Sequence, residues 1–425
     1  MFLQLKLLLY NQISILFQIN TVANSGSTGR ITEDIGELAI SKDWESYIAY
    51  GRGKAKSKSN LMKITNKIDF YFHALQTRFL DNHGLSSSHN TKRLIENIKR
   101  IKPDIIHLHN IHGYYLNYSL LFNFLSQTNI PVVWTLHDCW TYTGHCSHYT
   151  FAQCKRWKES CFNCPQKNRY PKSWFIDRSS QNYADKKRYF SSINNLTIIT
   201  VSNWLENEVK QSFFKDKTIK TIHNGVNTKI FKPQNINKSN LNPLLNNKFI
   251  ILGVANVWDK YKGLDDFIQL RKKLSNEYII ILIGLNNKQI KHLPEGIIGI
   301  QRTNNIKELA EYYTIADVYL NTSIEETFGM TTCESMACGT PVIVYNSTAS
   351  PELVTNQTGF IVEPQDFNKI IKILEYLKKT DKDQYSIACR RRVLKHFDKN
   401  DKYIEYMNLY ENIIRHENLI NNNYL

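Results

Sequence analysis

No stretch of this 425-residue chain is apolar for long enough to cross a bilayer. Residues 7 to 29 carry no charge, but Asn11, Gln12, Gln18, Asn20 and Asn24 interrupt every apolar run of spanning length. The apolar opening, Met1 to Tyr10, is short for a signal peptide and lacks a small-residue cleavage site. The expectation is therefore a cytoplasmic protein whose eight cysteines are reduced, and any membrane role is peripheral, at the inner face of the cytoplasmic membrane. Acids are scarce: 38 Asp and Glu stand against 54 Lys and Arg, a net charge of +16. That excess points to polyanionic partners such as phosphate-bearing ligands, nucleic acid or an anionic membrane surface. Short repeats and low-complexity tracts are absent, and 42% hydrophobic with 22% charged residues is an ordinary globular mix. Disordered, collagen-like and coiled-coil chains are excluded on that ground.

What is present is an alternation of short β-rich runs with helical patterns. Strands are expected at Ile13–Phe17, Tyr47–Tyr50, Ile105–His109, Val132–Leu136 and Thr197–Val201, then at Phe249–Val254, Ile279–Ile283, Ile297–Ile300, Val318–Asn321, Val342–Val344 and Phe360–Val362. Nearly continuous apolar strands between amphipathic helices mark parallel sheets covered on both faces. Two such series make an α/β protein of two doubly wound, Rossmann-like domains. The Asn224-Gly225 turn and the polar stretch Gln234 to Lys248 place the join. The expected division is 1–222, 223–395 and a closing segment 396–425 that returns to the first domain. Ligands of such chains bind where the carboxyl ends of the two sheets face each other across a cleft.

The sharpest segment is Glu326-Thr-Phe-Gly-Met-Thr-Thr-Cys-Glu334, between a strand and a helix that Gly339 ends. Its two carboxylates can accept hydrogen bonds from sugar hydroxyls while N–H groups near Gly329 and Met330 hold a diphosphate. The plain alternative is that Glu334 only favours the helix start electrostatically. Asn24-Ser-Gly-Ser-Thr-Gly-Arg30 follows the first strand, where Gly26 and Gly29 let backbone approach a phosphate or sugar and Arg30 adds charge. Tight strand-to-helix turns use glycine in any case.

The Glu-x7-Glu segment resembles the motif of the retaining glycosyltransferases of family 4, which have the two-domain GT-B fold. So do Ser335-Met-Ala-Cys-Gly-Thr-Pro-Val-Ile-Val344 and the linker His223-Asn-Gly-Val-Asn227 with Phe231 and Pro233. The resemblance implies transfer of a sugar from a nucleotide-sugar donor to a glycan or lipid-diphosphate-linked acceptor, in capsule, O-antigen or exopolysaccharide assembly. It implies that Glu326 contacts the donor sugar, Glu334 holds the ribose hydroxyls, and the backbone of Phe328-Gly329-Met330 lines sugar and diphosphate. Lys262, in Val254-Ala-Asn-Val-Trp-Asp-Lys-Tyr-Lys-Gly263, matches the lysine that neutralises the diphosphate. The arginine many relatives carry five residues earlier is Val257 here, leaving Lys260 or Arg302 to supply a second charge. His137, in Trp134-Thr-Leu-His-Asp138, matches the histidine that contacts the transferred sugar; a packed or capping histidine is the alternative. Catalysis needs no cofactor on this reading, and no Asp-x-Asp metal pair stands out.

Three further features stay open at this level. His107-Leu-His-Asn-Ile-His-Gly113 ends a strand without a carboxylate ligand, so lining of the acceptor site is favoured over metal. Cys146, Cys154, Cys161 and Cys164, spaced C-x7-C-x6-C-x2-C in the loop 144–165, can hold a structural zinc; free thiols or a redox-sensitive cluster is the alternative. Residues 52 to 67 hold six Lys or Arg and no acid, and Leu61, Ile64, Ile68, Phe72, Leu75 and Phe79 recur from there on at helical spacing. That stripe either lies on an anionic leaflet or packs on the sheet. A nucleotide-sugar epimerase or phosphorylase on the same fold is the second reading. A nucleic-acid-binding protein ranks below it, since no recognition helix emerges, and no nucleic-acid partner is expected.

Overall fold

The computed structural model describes residues 13–422. The chain divides into two compact units: one runs to Val201 and adds Glu206–Ile222 and the chain from Tyr403 on; the other comprises Ser202–Leu205 and His223–Lys402. The break at Ile222 and His223 coincides with the expected join. The return to the first unit starts at Tyr403, inside the helix Lys399–Asn422, and not at 396; the helix Asp383–His396 belongs wholly to the second unit.

The first unit holds seven parallel strands: β1 (Ile15–Val22), β2 (Glu45–Arg52), β3 (Asn60–Lys63), β4 (Ile105–Leu108), β5 (Val132–Leu136), β6 (Leu196–Thr200) and β7 (Thr218–Thr221). Their order is β3-β2-β1-β4-β5-β6-β7. The central strands β4 and β5 are buried along their whole length, as covering helices require of a parallel sheet. Strands β3 and β7 escape a reading by apolar runs because each is a polar edge, Asn-Leu-Met-Lys and Thr-Ile-Lys-Thr, with no residue fully buried. Tyr403, Tyr406, Met407 and Tyr410 recur at helical spacing and pack with Leu16, Ile35, Ile105 and Val133. Each such buried side chain contributes roughly 1.5–3 kcal/mol, so the last helix is an integral part of this core.

The second unit holds six parallel strands: β8 (Phe249–Val254), β9 (Tyr278–Ile283), β10 (Ile297–Ile300), β11 (Val318–Asn321), β12 (Val342–Tyr345) and β13 (Gly359–Val362), ordered β10-β9-β8-β11-β12-β13. The stretch 234–248, expected as loop, contains a short helix, Lys238–Leu241, and a 3-10 turn, Pro243–Leu245, pinned by buried Leu245.

Candidate functional site

In the second unit β8 and β11 are neighbours, and the strand order reverses between them. Loops leaving the carboxyl ends of such a strand pair form the ligand crevice of a doubly wound sheet. Here those loops are 255–263 and 322–329. Asp259 shapes the first, its Oδ1 accepting the N–H groups of Tyr261 at 2.9 Å and Lys262 at 3.1 Å. The loops are laced together where Ile324 N–H donates to the Tyr261 carbonyl (2.9 Å) and Thr322 Oγ1 to the Lys262 carbonyl (2.8 Å).

That lacing brings Lys262 Nζ to 2.5 Å from Glu326 Oε1, with the side chains 33% and 17% exposed. Glu326 is held from a third loop: its N–H donates to Thr348 Oγ1 (2.9 Å), and Ala349 N–H donates to its carbonyl (3.2 Å). A lysine and a carboxylate from different strand ends thus share one half-open position. Gly263, at φ +75°, makes this approach feasible, since a Cβ there would stand 2.3 Å from Thr322 Oγ1 and 2.9 Å from its carbonyl oxygen. Gly263→Ala is expected to cost about 1–3 kcal/mol through overpacking and to separate the loops. A lower melting midpoint together with weakened nucleotide binding is the expected result.

Glu334 lies one turn inside the helix Met330–Ala337 and accepts a hydrogen bond from Tyr313 at 3.0 Å. Tyr313 is buried on the helix Ile306–Ile315; burial, then the Glu334 charge, pushes its phenol well above the usual range, so it stays a donor. Gly329 begins the helix at φ +101° and leaves its first turn without a side-chain cap. The Phe328 ring is buried against His223 (5.9 Å) and Phe397 (5.7 Å), which leaves its backbone as the part of the residue open to a ligand. Met330 is partly exposed. Lys260 is exposed and lies over the Tyr261 ring at 5.1 Å. Arg302 is exposed just after the edge strand β10, two places from β8. The structure therefore pairs Lys262 with Glu326. Asp381 and Asp383 form an Asp-x-Asp at a helix start, where Asp381 Oδ1 accepts the Asp383 N–H at 3.0 Å.

In the first unit the order reverses between β1 and β4. The glycine loop follows β1 and opens the helix Gly26–Ser41. Gly26 and Arg30 are exposed, whereas Gly29 is buried, a Cβ on it meeting Val22 Cγ2 at 3.0 Å; its job is close packing of helix on strand. His137, partly exposed beyond β5, shares a hydrogen bond with His109 (3.1 Å), whose other nitrogen meets Gln18 Oε1 (3.2 Å). Burial, with Asp138 acting against it, holds His137 down at about 4, so the imidazole is neutral at ordinary pH. His107 departs from the expectation of acceptor lining. It is fully buried and bonded to Thr135 (2.8 Å) and to Tyr410 (2.6 Å) of the last helix. His112 instead joins Asp138 (2.8 Å) and Tyr170 (2.9 Å). Burial raises Asp138, but the charge and hydrogen bond of His112, with His148 and the Trp140 N–H, outweigh it and hold the carboxyl at about 2.

Tyr313, Thr348 and Asp259 are site residues that motif reading passes over. Only Asp259 carries a sequence signal, an Asp two residues ahead of Tyr261 in a turn.

Two doubly wound parallel sheets in one chain are the make-up of GT-B proteins, and the solved structures this chain resembles share it. Two family models match the chain: Glycosyltransferase Family 4 over residues 46–230, and Glycosyl transferases group 1 over residues 235–391. A protein of Escherichia coli K12 assigned as a colanic acid biosynthesis glycosyl transferase is 23% identical over 94% of this chain and 100% of its own length. An alpha-monoglucosyldiacylglycerol synthase of Acholeplasma laidlawii is 24% identical over 73% of this chain and 80% of its own. The crystal structure of a glycosyltransferase from Rickettsia africae superposes with a TM-score of 0.68 at 20% identity, covering 95% of this chain and 99% of that one. The chain belongs to this family of GT-B glycosyltransferases, and the epimerase alternative is set aside.

Proposed function

We propose that this glycosyltransferase is retaining and metal-independent, and that it moves a sugar from a nucleotide-sugar donor to a glycan or lipid-diphosphate acceptor in surface-polysaccharide assembly. The observation that carries the reading is the Lys262–Glu326 pair between the loops after β8 and β11. Breaking the bond from the anomeric carbon to phosphate puts negative charge on the leaving diphosphate and positive charge on the sugar ring. Lys262 and the uncapped first turn of the helix Met330–Ala337 meet the first charge; Glu326, released by the phosphate, takes a sugar hydroxyl. Glu334, oriented by Tyr313, accepts from the ribose hydroxyls. The acceptor oxygen attacks the face the diphosphate leaves, and its proton passes to the departing phosphate oxygen, so no protein nucleophile is required. Neutral His137 is suited to hydrogen-bond a sugar hydroxyl without adding charge. The test is transfer from labelled nucleotide sugars with EDTA present, followed by assignment of the product anomer. Loss of turnover on chelation, or an inverted product, overturns the reading.

A membrane-held acceptor fits a surface of the first unit. The helix Lys67–Leu80 buries His73, Ala74 and Thr77 while exposing Ile68 (82%), Phe72 (58%), Leu75 and Phe79, so its apolar stripe faces outward, not onto the sheet. Phe79 packs on Trp174 (5.3 Å) and Phe175 (5.6 Å), both exposed, and Arg78 lies over Trp174 (5.8 Å). Arg52, Lys54, Lys56, Lys58, Lys63 and Lys67 are all exposed nearby in sequence. Exposed aromatics beside basic residues suit an anionic leaflet. No helix among the described residues is long and apolar enough to cross a membrane. The chain is expected to float with phosphatidylglycerol vesicles and not with neutral ones. Ile68→Glu with Phe72→Glu should abolish flotation at an unchanged melting midpoint; equal flotation of the variant contradicts the assignment.

A further inference from the structure

Between β5 and the helix Ser179–Phe190 the chain forms a long loop whose regular structure is two three-residue 3-10 turns, Trp140–Tyr142 and Arg156–Lys158. It is better packed than its composition suggests: Tyr142, Tyr149 and Trp157 bury their rings against one another at 4.9–6.3 Å. Beside this small aromatic core lies a cavity of about 10 Å³, room for one small ion or water. Cys146, Cys154, Cys161 and Cys164 all line it, together with His145.

The thiols are drawn together in detail. Cys146 and Cys164 are hydrogen-bonded to each other, and Cys161 Sγ accepts the Gly144 N–H at 3.1 Å, a donation that favours a thiolate. Arg156 donates to the carbonyls of Phe162 (2.8 Å) and Asn163 (2.5 Å), bracing the turn that joins Cys161 to Cys164. The buried Lys186 donates to the carbonyls of Trp140 (2.6 Å) and Thr143 (2.9 Å) and acts electrostatically on Cys161 and Cys146. Four thiolates around a divalent ion leave two negative charges in a place where unpaired charge is costly, and Lys186 is the basic group beside them.

His145 supplies an independent observation. Its Nδ1 lies 2.6 Å from Asp81 Oδ1, with both side chains fully buried, and its Nε2 is a buried nitrogen without a hydrogen-bond partner. A carboxylate-braced imidazole with its second nitrogen unused on the wall of a thiol-lined cavity is the arrangement expected around a metal site. Among the described residues, no group of three or more His, Cys, Asp or Glu side chains stands, as placed, where it could hold a metal ion. The side chains have to turn inward to reach the zinc–sulfur distance of about 2.3 Å.

We propose that Cys146, Cys154, Cys161 and Cys164 bind one structural Zn²⁺ as a four-thiolate site, with His145, braced by Asp81, on the wall of the same cavity. Binding releases the thiol protons and forms four zinc–sulfur bonds, without oxidation or reduction. Elemental analysis of the full chain, purified without chelator, is expected to give about one zinc per chain. The four loop thiols should resist a thiol reagent until the metal is removed, and Co²⁺ in its place should show thiolate charge-transfer bands. Chelation should lower the melting midpoint on the order of 5 °C, with recovery on adding Zn²⁺. Cys161→Ser with Cys164→Ser should lose the metal, whereas Cys389→Ser should keep it. The chelation arm keeps the test decisive if the double variant does not fold. Metal-free protein whose melting ignores Zn²⁺, or a Cys146–Cys164 disulfide in non-reducing peptide maps, overturns the proposal. None of these readouts involves sugar transfer, so their failure is separate from failure of the transferase mechanism.

Discussion

Lys262→Met is expected to lower kcat/KM for sugar transfer about 10²–10³-fold, the scale on which removing one fixed stabiliser of developing charge acts. The charge Lys262 meets is largest on the departing diphosphate, so most of the loss should fall on kcat, with a smaller rise in KM. Stability should hardly move. The lysine side chain is a third exposed, and a pair of that kind contributes about 0–1 kcal/mol in the resting protein. Glu326→Gln tests the other half of the pair: it keeps a hydrogen-bonding group for the sugar but removes the charge that parks Lys262. Steady-state kinetics with a melting curve beside each variant separates the cases. A Lys262→Met enzyme retaining most of its turnover would show that the leaving group is stabilised elsewhere.

The second large effect is acid lability of the first unit. Burial lowers His73 to about 4, and burial above all lowers His83, His107 and His109 well below the ordinary histidine value; His137 sits at about 4. The geometry agrees for His73, whose Nε2 accepts the Gly84 N–H at 3.1 Å, a bond that protonation destroys. A histidine depressed in the folded state is protonated first in the unfolded state, so stability falls as pH drops below about 6.5 and goes on falling to the folded value. A single group at 4 costs about 2 kcal/mol by pH 5. His145 does not offset this: its Asp81 partner outweighs burial and raises it, so its contribution is already complete below 6.5. Asp138, held at about 2, matters only below the ordinary carboxylate range. Melting midpoints should fall steeply between pH 6.5 and 5, with His73→Gln reducing the slope. A flat profile to pH 5 would mean these imidazoles are protonated in the native fold.

The segments that meet at the carboxyl ends of β8 and β11 were legible because each is local. Glu326 and Glu334 are eight residues apart across one strand-to-helix turn, and Lys262 precedes a glycine that the loop geometry needs. Their supports were not legible, since Thr348 and Tyr313 reach them from other loops and helices. The same limit applies to His107, whose partner Tyr410 is 303 residues away. Periodicity located the helix Lys67–Leu80 but not its orientation: a stripe of Ile68, Phe72 and Leu75 suits a membrane face or the core alike, and the structure exposes it while burying His73, Ala74 and Thr77. Edge strands β3 and β7 lacked the apolar run that revealed the central ones.

The most direct test of the account is calorimetric titration of the wild-type chain and Glu334→Ala with UDP-, GDP-, ADP- and dTDP-sugars. The account predicts that one nucleotide sugar binds wild type, and that the variant, having lost the carboxylate that Tyr313 orients toward the ribose, binds it at least about tenfold more weakly. Equal binding by both proteins, or no binding of any nucleotide sugar to well-folded wild type, would contradict the placement of the donor on the loops after β8 and β11.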